Sequence, residues 1–555
     1  MLPSSLFDFV NFFSLLFQEK GSLLSNYSKD IKFVKYQAAC EWEKYKKEHS
    51  VEMEAFWQSS QLDRNRPMLR LVPRSCVRGG MIETYRLKFT LEENPGYKLY
   101  FLDINSLYSK VSLDNSFAVG PYKVILDKKD LNTNICWIDG EFKYRNESMK
   151  SDACHVTWLA PPNLSKPFLP FRVNNEFNFL GLCRKCVSNK LTKTCKHTSP
   201  DVRSFTSCYM VSEINYAKKL GYEILAWHEV HHYSNEAPFI REFVKVLAAE
   251  KLRNSNILKD IPEIEQSSLC QELNKNMAFD PIYELKPKTI CDNTHQKQFY
   301  KDMQNSFFGR FALKEPTNSH IFCKSLREIE NYACKPDTEL IDLISIDDNI
   351  CQIEISQPKK SKPNLNGSLY ITAQINCLAR QFLYDEMIKV EKQNGIILSC
   401  DTDSIIFALK EVDPNPLKIS HEVGAFKHVL PNCKLLSFYS LSPRNYAILY
   451  ENEKNEICHL LKVKGLSLGS ENCNQLITHQ VYAHFVDQNF KNNIETMYLP
   501  QMRKKFDKAS KSYSEILTGF TFSSESHVKR FLLKDSINYE TFPYGFQFNY
   551  KNQKE

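Results

Sequence analysis

The residues that could do chemistry in this chain begin with two carboxylates, Asp401 and Asp403, which one residue separates. Apolar runs flank the pair, Ile396-Ile397-Leu398 before it and Ile405-Ile406-Phe407 after it. Such runs predict two strands of a hairpin with the acidic residues at its turn. Because alternate residues of an extended chain face the same way, both carboxylates can point toward one site. Carboxylates on a rigid hairpin suit Mg²⁺, and the alternative is an acidic turn in solvent.

A further carboxylate, Asp103, stands near the end of an apolar run that begins at Tyr97. A short turn follows it and leads to an aromatic residue, Tyr108. The pattern predicts a buried strand that places Asp103 at the rim of a sheet, where it can bind a metal ion.

Between these carboxylates the chain carries a stripe of polar residues. Lys297, Lys301, Asn305 and Gly309 recur at every fourth position, and residues at that spacing share one face of a helix. Two cations in line can bind a triphosphate, and the missing side chain at Gly309 lets a base or backbone approach closely. A solvated basic helix face is the alternative. The order of carboxylate, lysine stripe and paired carboxylates favours the phosphate site.

The three segments resemble motifs A, B and C of the family B DNA polymerases, and specifically those of the protein-primed branch. Residues 103–108 (DINSLY) are similar to D-x-x-S-L-Y, residues 301–309 (KDMQNSFFG) to K-x-x-x-N-S-x-Y-G, and residues 401–404 (DTDS) to the D-T-D-S signature. Further similar segments follow the family order: Gly79-Gly80 with Glu83, Pro443-Arg444-Asn445-Tyr446, Lys462-Val463-Lys464-Gly465, Lys529-Arg530 and Pro543-Tyr544-Gly545. The region around Ala160-Pro161-Pro162 and Leu169-Pro170 most resembles polymerases of the Maverick or Polinton DNA transposons.

The resemblance implies a DNA-directed DNA polymerase, a nucleotidyltransferase that uses dNTPs and primer-template DNA. Asp103 and Asp403 would bind two Mg²⁺ ions, with Asp401 as an auxiliary carboxylate. The implied nucleotide-binding residues are Tyr108, Lys297, Lys301, Asn305 and Lys251, and the implied DNA-binding residues are Gly79, Gly80, Lys462 and Lys464. Tyr108 would pack under the deoxyribose and reject a 2′-hydroxyl. A terminal priming protein would be a further partner.

Four positions depart from the family pattern, and none of them is a metal ligand. The usual proline, tyrosine, tyrosine and arginine are replaced by Ser109, Phe308, Ser399 and Met81. These changes keep open the alternative of a catalytically decayed, transposon-derived protein that binds nucleic acid. A reverse transcriptase ranks third, because those enzymes usually carry adjacent aspartates where Thr402 separates the pair in this chain.

The implied fold class is α+β, a right-hand polymerase with an antiparallel palm sheet and helical fingers and thumb. Because 102 residues precede Asp103, the exonuclease domain is expected to be absent or vestigial and proofreading is not expected. The expected segments are a mostly helical N-terminal remnant (1–70), a first palm segment with motif A (71–120), an insertion (121–235), fingers with motif B (236–312), a second insertion (313–365), a second palm segment with motif C (366–430) and a thumb or C-terminal region (431–555).

The first insertion carries a second set of candidate ligands, Cys183-x-x-Cys186 followed by Cys195-x-His197. Two close pairs of soft ligands separated by eight residues can close a tetrahedral Zn²⁺ site. With four protein ligands, a structural role is favoured over a catalytic one. The alternative is that these are reduced thiols and a histidine on a loop.

The composition of the chain limits the possible size of its core, its partners and its cellular compartment. The 555 residues, of which 42% are hydrophobic, can bury a large core in several subdomains. A net charge of +7 is compatible with a local nucleic-acid cleft. The 18 cysteines lack a secretory pattern and favour an intracellular protein, nuclear if transposon-derived and otherwise mitochondrial or cytoplasmic. The apolar run at residues 6–17 is too short to span a bilayer, so no membrane association is expected. The absence of a G-K-[ST] motif argues against a P-loop ATPase or helicase.

Overall fold

The computed structural model describes residues 71–172, 178–259, 261–312, 318–333, 339–345, 351–356, 368–464, 477–491, 493–507, 512–525, 529–532 and 538–548. The prediction of a mostly helical segment at 1–70 lies outside these residues, as does Gly465. The helices are α1 Pro73–Cys76, α2 Leu107–Asp114, α3 Lys128–Asn134, α4 Arg184–Ser188, α5 Pro200–Arg203, α6 Val211–Lys219, α7 Arg241–Arg253, α8 Glu263–Met277, α9 Thr294–Arg310, α10 Leu326–Ala333, α11 Leu369–Lys392 and α12 His479–Phe490.

The strands, in chain order, are β1 Ile82–Thr84, β2 Lys88–Thr90, β3 Tyr97–Ile104, β4 Phe117–Ala118, β5 Lys123–Ile125, β6 Ile135–Ile138, β7 Glu141–Tyr144, β8 Glu147–Ser148, β9 Ala153–Leu159, β10 Phe171–Arg172, β11 Asn178–Phe179, β12 Phe205–Met210, β13 Glu223–His232, β14 Glu236–Ala237, β15 Asn318–Cys323, β16 Glu339–Ser345, β17 Cys351–Ser356, β18 Ile396–Asp401, β19 Ser404–Lys410, β20 Phe426–His428, β21 Lys434–Ser442, β22 Asn445–Glu451, β23 Ile457–Lys462, β24 Thr496–Asp507, β25 Ser512–Ser523, β26 Phe531–Leu532 and β27 Thr541–Phe542. Mixed α and β content is therefore confirmed.

A five-stranded antiparallel sheet with the order β1-β18-β19-β3-β20 is the centre of the fold. Its strands β18 and β19 form the predicted hairpin, with Thr402 in the turn at φ +61°. In the register between β19 and β3, Ser404 lies opposite Asp103, and in the pairing of β20 with β3, Lys427 lies opposite the same aspartate. The predictions of a hairpin and of a strand that ends near Asp103 are both confirmed.

Both faces of this sheet are covered, because successive residues of β19 point to opposite sides. Ile405, Phe407 and Leu409 belong to one core together with a stripe on helix α11. The stripe consists of Ile375, Ala379, Leu383, Met387 and Val390, which recur at helical spacing. Ile406 and Ala408 face the other way and pack in a core with residues of a second sheet, which has the order β2-β21-β22-β23. The sheet is therefore clamped between a helix and a second sheet.

The regions between the sheet strands form separate layers. Residues 121–235 hold a four-stranded sheet, β12-β9-β13-β5, in which Trp158 stacks on Phe205 with ring centroids 4.5 Å apart. Helices α7, α8 and α9 occupy 241–310, and α9 confirms the helix predicted for the lysine stripe. Residues 318–356 contribute a small sheet, β15-β17-β16, beside α10. Within the described ranges, no helix is both long and apolar enough to cross a membrane.

The prediction of a helical thumb is wrong for the described residues after 431. They form mainly strands, β21 to β27, beside the helix α12. The physical reason is visible in segments such as Asn445–Glu451 (NYAILYE), where aromatic and branched residues alternate at the period of a strand.

A buried ion pair joins α11 to α6 and to the segment that precedes β1. Arg380 donates to Oε1 of Glu213 at 2.6 Å, and to the carbonyl oxygens of Arg78 and Gly79 at 3.1 and 2.7 Å. The side chains of Arg380 and Glu213 are 2% and 0% exposed. Guanidinium and carboxylate therefore depend on each other for neutralisation.

We expect Arg380→Leu to lower the free energy of unfolding by about 3–5 kcal/mol, because it leaves the carboxylate of Glu213 buried without its partner. Denaturant titration measures this loss. The control is Lys110→Leu, whose pair with Asp114 has both side chains partly exposed (32% and 49%) and should contribute about 0–1 kcal/mol. Equal effects of the two substitutions would contradict the assignment.

Candidate active site

A cavity of about 160 Å³ lies at the end of the central sheet. It collects side chains from the end of β3, the hairpin turn, β20 and the helices α2, α7 and α9. The residues that line it are Asp103, Ile104, Ser106, Leu107, Tyr108, Ser109, Lys251, Lys301, Asn305, Phe308, Asp403 and Lys427. Segments from distant regions of the chain, which sequence analysis singled out separately, thus meet in one place.

The hairpin turn brings Asp403 beside Asp103. The backbone N–H of Ile104 donates to the carbonyl oxygen of Asp403 at 2.7 Å, and the N–H of Asp403 donates to the carbonyl of Asp401 at 2.6 Å. The first bond continues the ladder between β3 and β19 past its last paired residues, and the second closes the turn of the hairpin. Backbone hydrogen bonds of the sheet therefore position residues 103 and 403.

Burial and the nearby carboxylates of Asp103 and Asp401 disfavour the charged form of Asp403. Burial first, and then the negative charges of Asp103 and Asp401, raise the pKa of Asp403 to about 6, although the charge of Lys427 opposes the rise. A group of partly buried carboxylates in this state favours a bound cation, which would stabilise their charged forms.

Two basic residues that sequence analysis did not assign to the site neutralise the other carboxylates. Lys427 Nζ lies 2.5 Å from Oδ2 of Asp103. Arg444 donates from Nε and Nη2 to the two oxygens of Asp401, each at 2.8 Å. Arg444 could have been found from its place in the Pro443–Tyr446 segment. Nothing in the local sequence around Lys427 indicated a role in the site, because that role depends on the pairing of β20 with β3.

The wall opposite the carboxylates is positive. Lys251 Nζ donates to Oγ of Ser106 at 2.6 Å, and Oγ of Ser106 donates to Oε1 of Gln304 at 3.3 Å. Burial first, and then the positive charges of Lys427, Lys301 and Lys297, lower the pKa of Lys251 to about 8. The cavity therefore has a negative end at the sheet and a positive side formed by the helices.

An aromatic pair forms a section of the cavity wall. Tyr108 and Phe308 have ring centroids 5.4 Å apart at an interplanar angle of 32°. Burial raises the pKa of Tyr108, and the charge of Asp403 adds to the rise. Phe308 is fixed in turn, because its carbonyl oxygen accepts a hydrogen bond from Thr372 of α11 at 3.0 Å.

Other predicted residues lie outside the cavity lining. Lys297 is one turn earlier on α9, close enough to lower the pKa of Lys251. Lys462, at the end of β23, lies over the ring of Tyr446 at 5.6 Å, and Lys464 is exposed just beyond it.

The glycine pair lies under the hairpin turn. A Cβ on Gly80 would lie 2.8 Å from Cγ2 and 2.9 Å from Oγ1 of Thr402, whereas a Cβ on Gly79 would have nothing within 4 Å. The N–H of Thr402 also donates to the carbonyl of Met81 at 2.7 Å. Gly80 therefore allows a close approach of backbone to the turn between the two aspartates.

The predicted set of soft ligands also converges, at a place separate from the cavity. The ligand atoms of Cys183, Cys186, Cys195 and His197 all lie within 4.8 Å of one another. The convergence that the spacing predicted is confirmed.

Comparison with known proteins gives distant similarities. No family model matches the chain. A curated protein of Neurospora intermedia, "Probable DNA polymerase", is 23% identical over 393 residues, which are 70% of this chain and 32% of that protein. The chain thus spans about a third of the length of that relative.

Among solved structures, phi29 DNA polymerase complexed with primer-template DNA is 11% identical with a TM-score of 0.46, covering 81% of this chain and 62% of that one. The same enzyme complexed with primer-template DNA and incoming nucleotides is 12% identical with a TM-score of 0.45, covering 82% and 62%.

We expect Gly80→Ala to lower the free energy of unfolding by about 1–3 kcal/mol, because the new methyl group must displace the turn at Thr402. Thermal or denaturant unfolding measures the loss. Gly79→Ala is the matched control, since the same methyl group meets open space there. Equal sensitivity at both positions would mean that close packing at Gly80 is unimportant.

Stability should depend on pH through Asp403. Its pKa is higher in the folded chain than the ordinary value of 3.8, so its contribution is fully present below that value and is lost as pH rises to about 6 and above. In EDTA, wild type should lose stability between about pH 4 and 6 relative to Asp403→Asn, and the variant should be the more stable at pH 7. Unfolding curves across this pH range test it, with exposed Asp139→Asn as the control. Parallel pH profiles would contradict the assigned pKa.

Proposed function

We propose that this chain is a DNA-directed DNA polymerase that adds nucleotides from dNTPs to a primer on a DNA template. The observation that carries the proposal is the cavity in which Asp103 and Asp403 face Lys301, Asn305 and Lys251. A carboxylate end suits metal ions, and a lysine side suits the phosphates that such ions accompany. The name of the Neurospora relative agrees with this function.

Asp103 and Asp403 would hold the two Mg²⁺ ions, because their charges meet in a partly buried site that a cation would stabilise. When bound, Mg²⁺ lowers the pKa of the attacking primer hydroxyl and stabilises the triphosphate and the leaving pyrophosphate. In this scheme, the ammonium group of Lys427 leaves the carboxylate of Asp103 when the metal ions bind. Arg444 keeps both oxygens of Asp401 engaged, so Asp401 acts as an auxiliary carboxylate.

The helices supply the remaining contacts. Lys301 and Lys251 neutralise the triphosphate, with Asn305 beside them and Lys297 one turn further out. Tyr108, held against Phe308, packs under the deoxyribose and excludes a 2′-hydroxyl. Lys462 and Lys464, with Gly79 and Gly80, lie on the DNA side, where backbone contacts give affinity without reading sequence.

In this proposal the central sheet is the palm, the helices within 236–312 are the fingers, and 121–235 and 313–365 are insertions. Residues 431–555 complete the DNA-binding surface. Priming by a protein hydroxyl and a place in a transposon, plasmid or viral replication system belong to the same proposal.

A second candidate is a nucleic-acid-binding protein that has lost catalysis. The ion pair between Lys427 and Asp103 favours it, because this pair occupies one of the carboxylates that metal binding requires.

Primer extension with Mg²⁺ and dNTPs on a primed DNA template separates the two functions. Mutation of outer partners of a metal site already costs about 10–100-fold, so Asp403→Asn should lower extension by more than about 100-fold. Asp139→Asn, a change at an exposed residue outside the cavity lining, should leave extension intact. Extension unaffected by Asp403→Asn would overturn the site. A folded wild-type chain that binds DNA without extending it would establish the second candidate.

A further inference from the structure

The Cys/His cluster lies in the 121–235 region and takes no part in the cavity site. Cys183 precedes the first residue of helix α4, and Cys186 lies within that helix. Cys195 and His197 follow on the loop that leads to α5. The three thiols are buried and the imidazole is half-buried, so the cluster is protected on the protein side and closed by a histidine toward solvent.

The distances within the cluster are those of a metal centre. Nδ1 of His197 lies 3.5, 3.4 and 3.5 Å from Sγ of Cys183, Cys186 and Cys195. With metal–sulfur bonds of about 2.3 Å and metal–nitrogen bonds of about 2.0–2.1 Å, a tetrahedral zinc ion places nitrogen and sulfur about 3.5–3.6 Å apart.

Hydrogen bonding alone does not account for the arrangement. The Nδ1 atom of an imidazole carries either one proton or one lone pair, so it can form one good hydrogen bond and not three equal ones. Three sulfurs at nearly the same distance from one nitrogen instead surround a common centre.

We propose that Cys183, Cys186, Cys195 and His197 bind one structural Zn²⁺ ion, and that this ion anchors the C-terminal segment 541–548 to the body of the protein. Four protein ligands fill a tetrahedral shell and leave no position for substrate, which makes the site structural.

The anchoring follows from the backbone contacts of the ligand loop. The N–H of Cys195 donates to the carbonyl of Phe546 at 2.8 Å, and Nε2 of Gln547 donates to the carbonyl of His197 at 2.9 Å. Gly545 has φ +93°, and a Cβ there would lie 2.5 Å from the backbone nitrogen of Cys183. The C-terminal segment is therefore in direct contact with two of the ligand residues by hydrogen bonds and with a third by close packing.

The same segment reaches the central sheet. The N–H of Thr541 donates to the carbonyl of Tyr85 at 2.9 Å, and its Oγ1 donates to the carbonyl of Thr84 at 2.7 Å. Thr84 pairs with Ser399 in β18, the strand that leads to the paired aspartates. Loss of zinc should thus loosen 541–548 at one end while the sheet holds it at the other. This inference does not depend on the proposed polymerase activity.

The test is the zinc content of the full chain purified under reducing conditions, measured by elemental mass spectrometry. We expect about one zinc ion per chain, and less than about a tenth of that in Cys186→Ser. Cys136→Ser, an exposed cysteine outside the cluster, is the control and should keep the ion. If Cys186→Ser fails to fold, His197→Gln replaces it, because this ligand is only half-buried, and its zinc content should fall well below that of Cys136→Ser.

Hydrogen exchange supplies the second readout. Removal of zinc with a chelator should increase exchange at 541–548 at least tenfold, with the amides of α11 unchanged. A reduced wild-type chain that neither contains nor takes up zinc would overturn the site, as would equal zinc in Cys186→Ser and Cys136→Ser. Zinc removal without faster exchange at 541–548 would overturn the anchoring.

Discussion

The register between β3 and β19 is the constraint on which the rest of the structure depends. Ser404 opposite Asp103 places the acidic turn beside the end of β3, and a slip of one residue would turn every side chain of β19 to the other face. Such a slip is costly here because both faces are buried, one under α11 and the other under the second sheet. Packing far from the site therefore fixes which carboxylates meet.

The fold holds the carboxylates of Asp103, Asp401 and Asp403 close together although their negative charges repel one another. Asp401 and Asp103 each have a cationic partner, whereas burial and the neighbouring charges leave Asp403 with a raised pKa of about 6. On the helix side of the cavity, burial and neighbouring positive charges lower the pKa of Lys251 to about 8. Each group is less stable in its charged form than it would be in water, so a ligand that carries a cation and phosphates would relieve both sides.

Local patterns made the components of this site predictable, and long-range pairing made their partners unpredictable. The apolar runs around Asp401 and Asp403 and the fourfold spacing from Lys297 to Gly309 identify a hairpin and a helix because their periodicities are local. Lys427 and Gly80 act through strands that pair across hundreds of residues, which no short window of sequence records. The prediction of a helical thumb is wrong for a different reason. The family resemblance implied helices, whereas residues after 431, such as Asn445–Glu451, alternate in side-chain type at the period of a strand.

The contact of Thr541 with Thr84 and Tyr85 has a consequence for the order of folding. The two partners are separated from it by 457 and 456 residues, so this contact beside β1 can form only after residue 541 has been synthesised. Strands β1, β18, β19 and β3 can pair earlier, before Thr541 reaches the carbonyl oxygens of Thr84 and Tyr85. Closing so long a loop costs little more entropy than closing one half its length, yet contacts of such high sequence separation form slowly. The central sheet can therefore assemble first, and we expect the segment at Thr541 to dock beside β1 in a later and slower step.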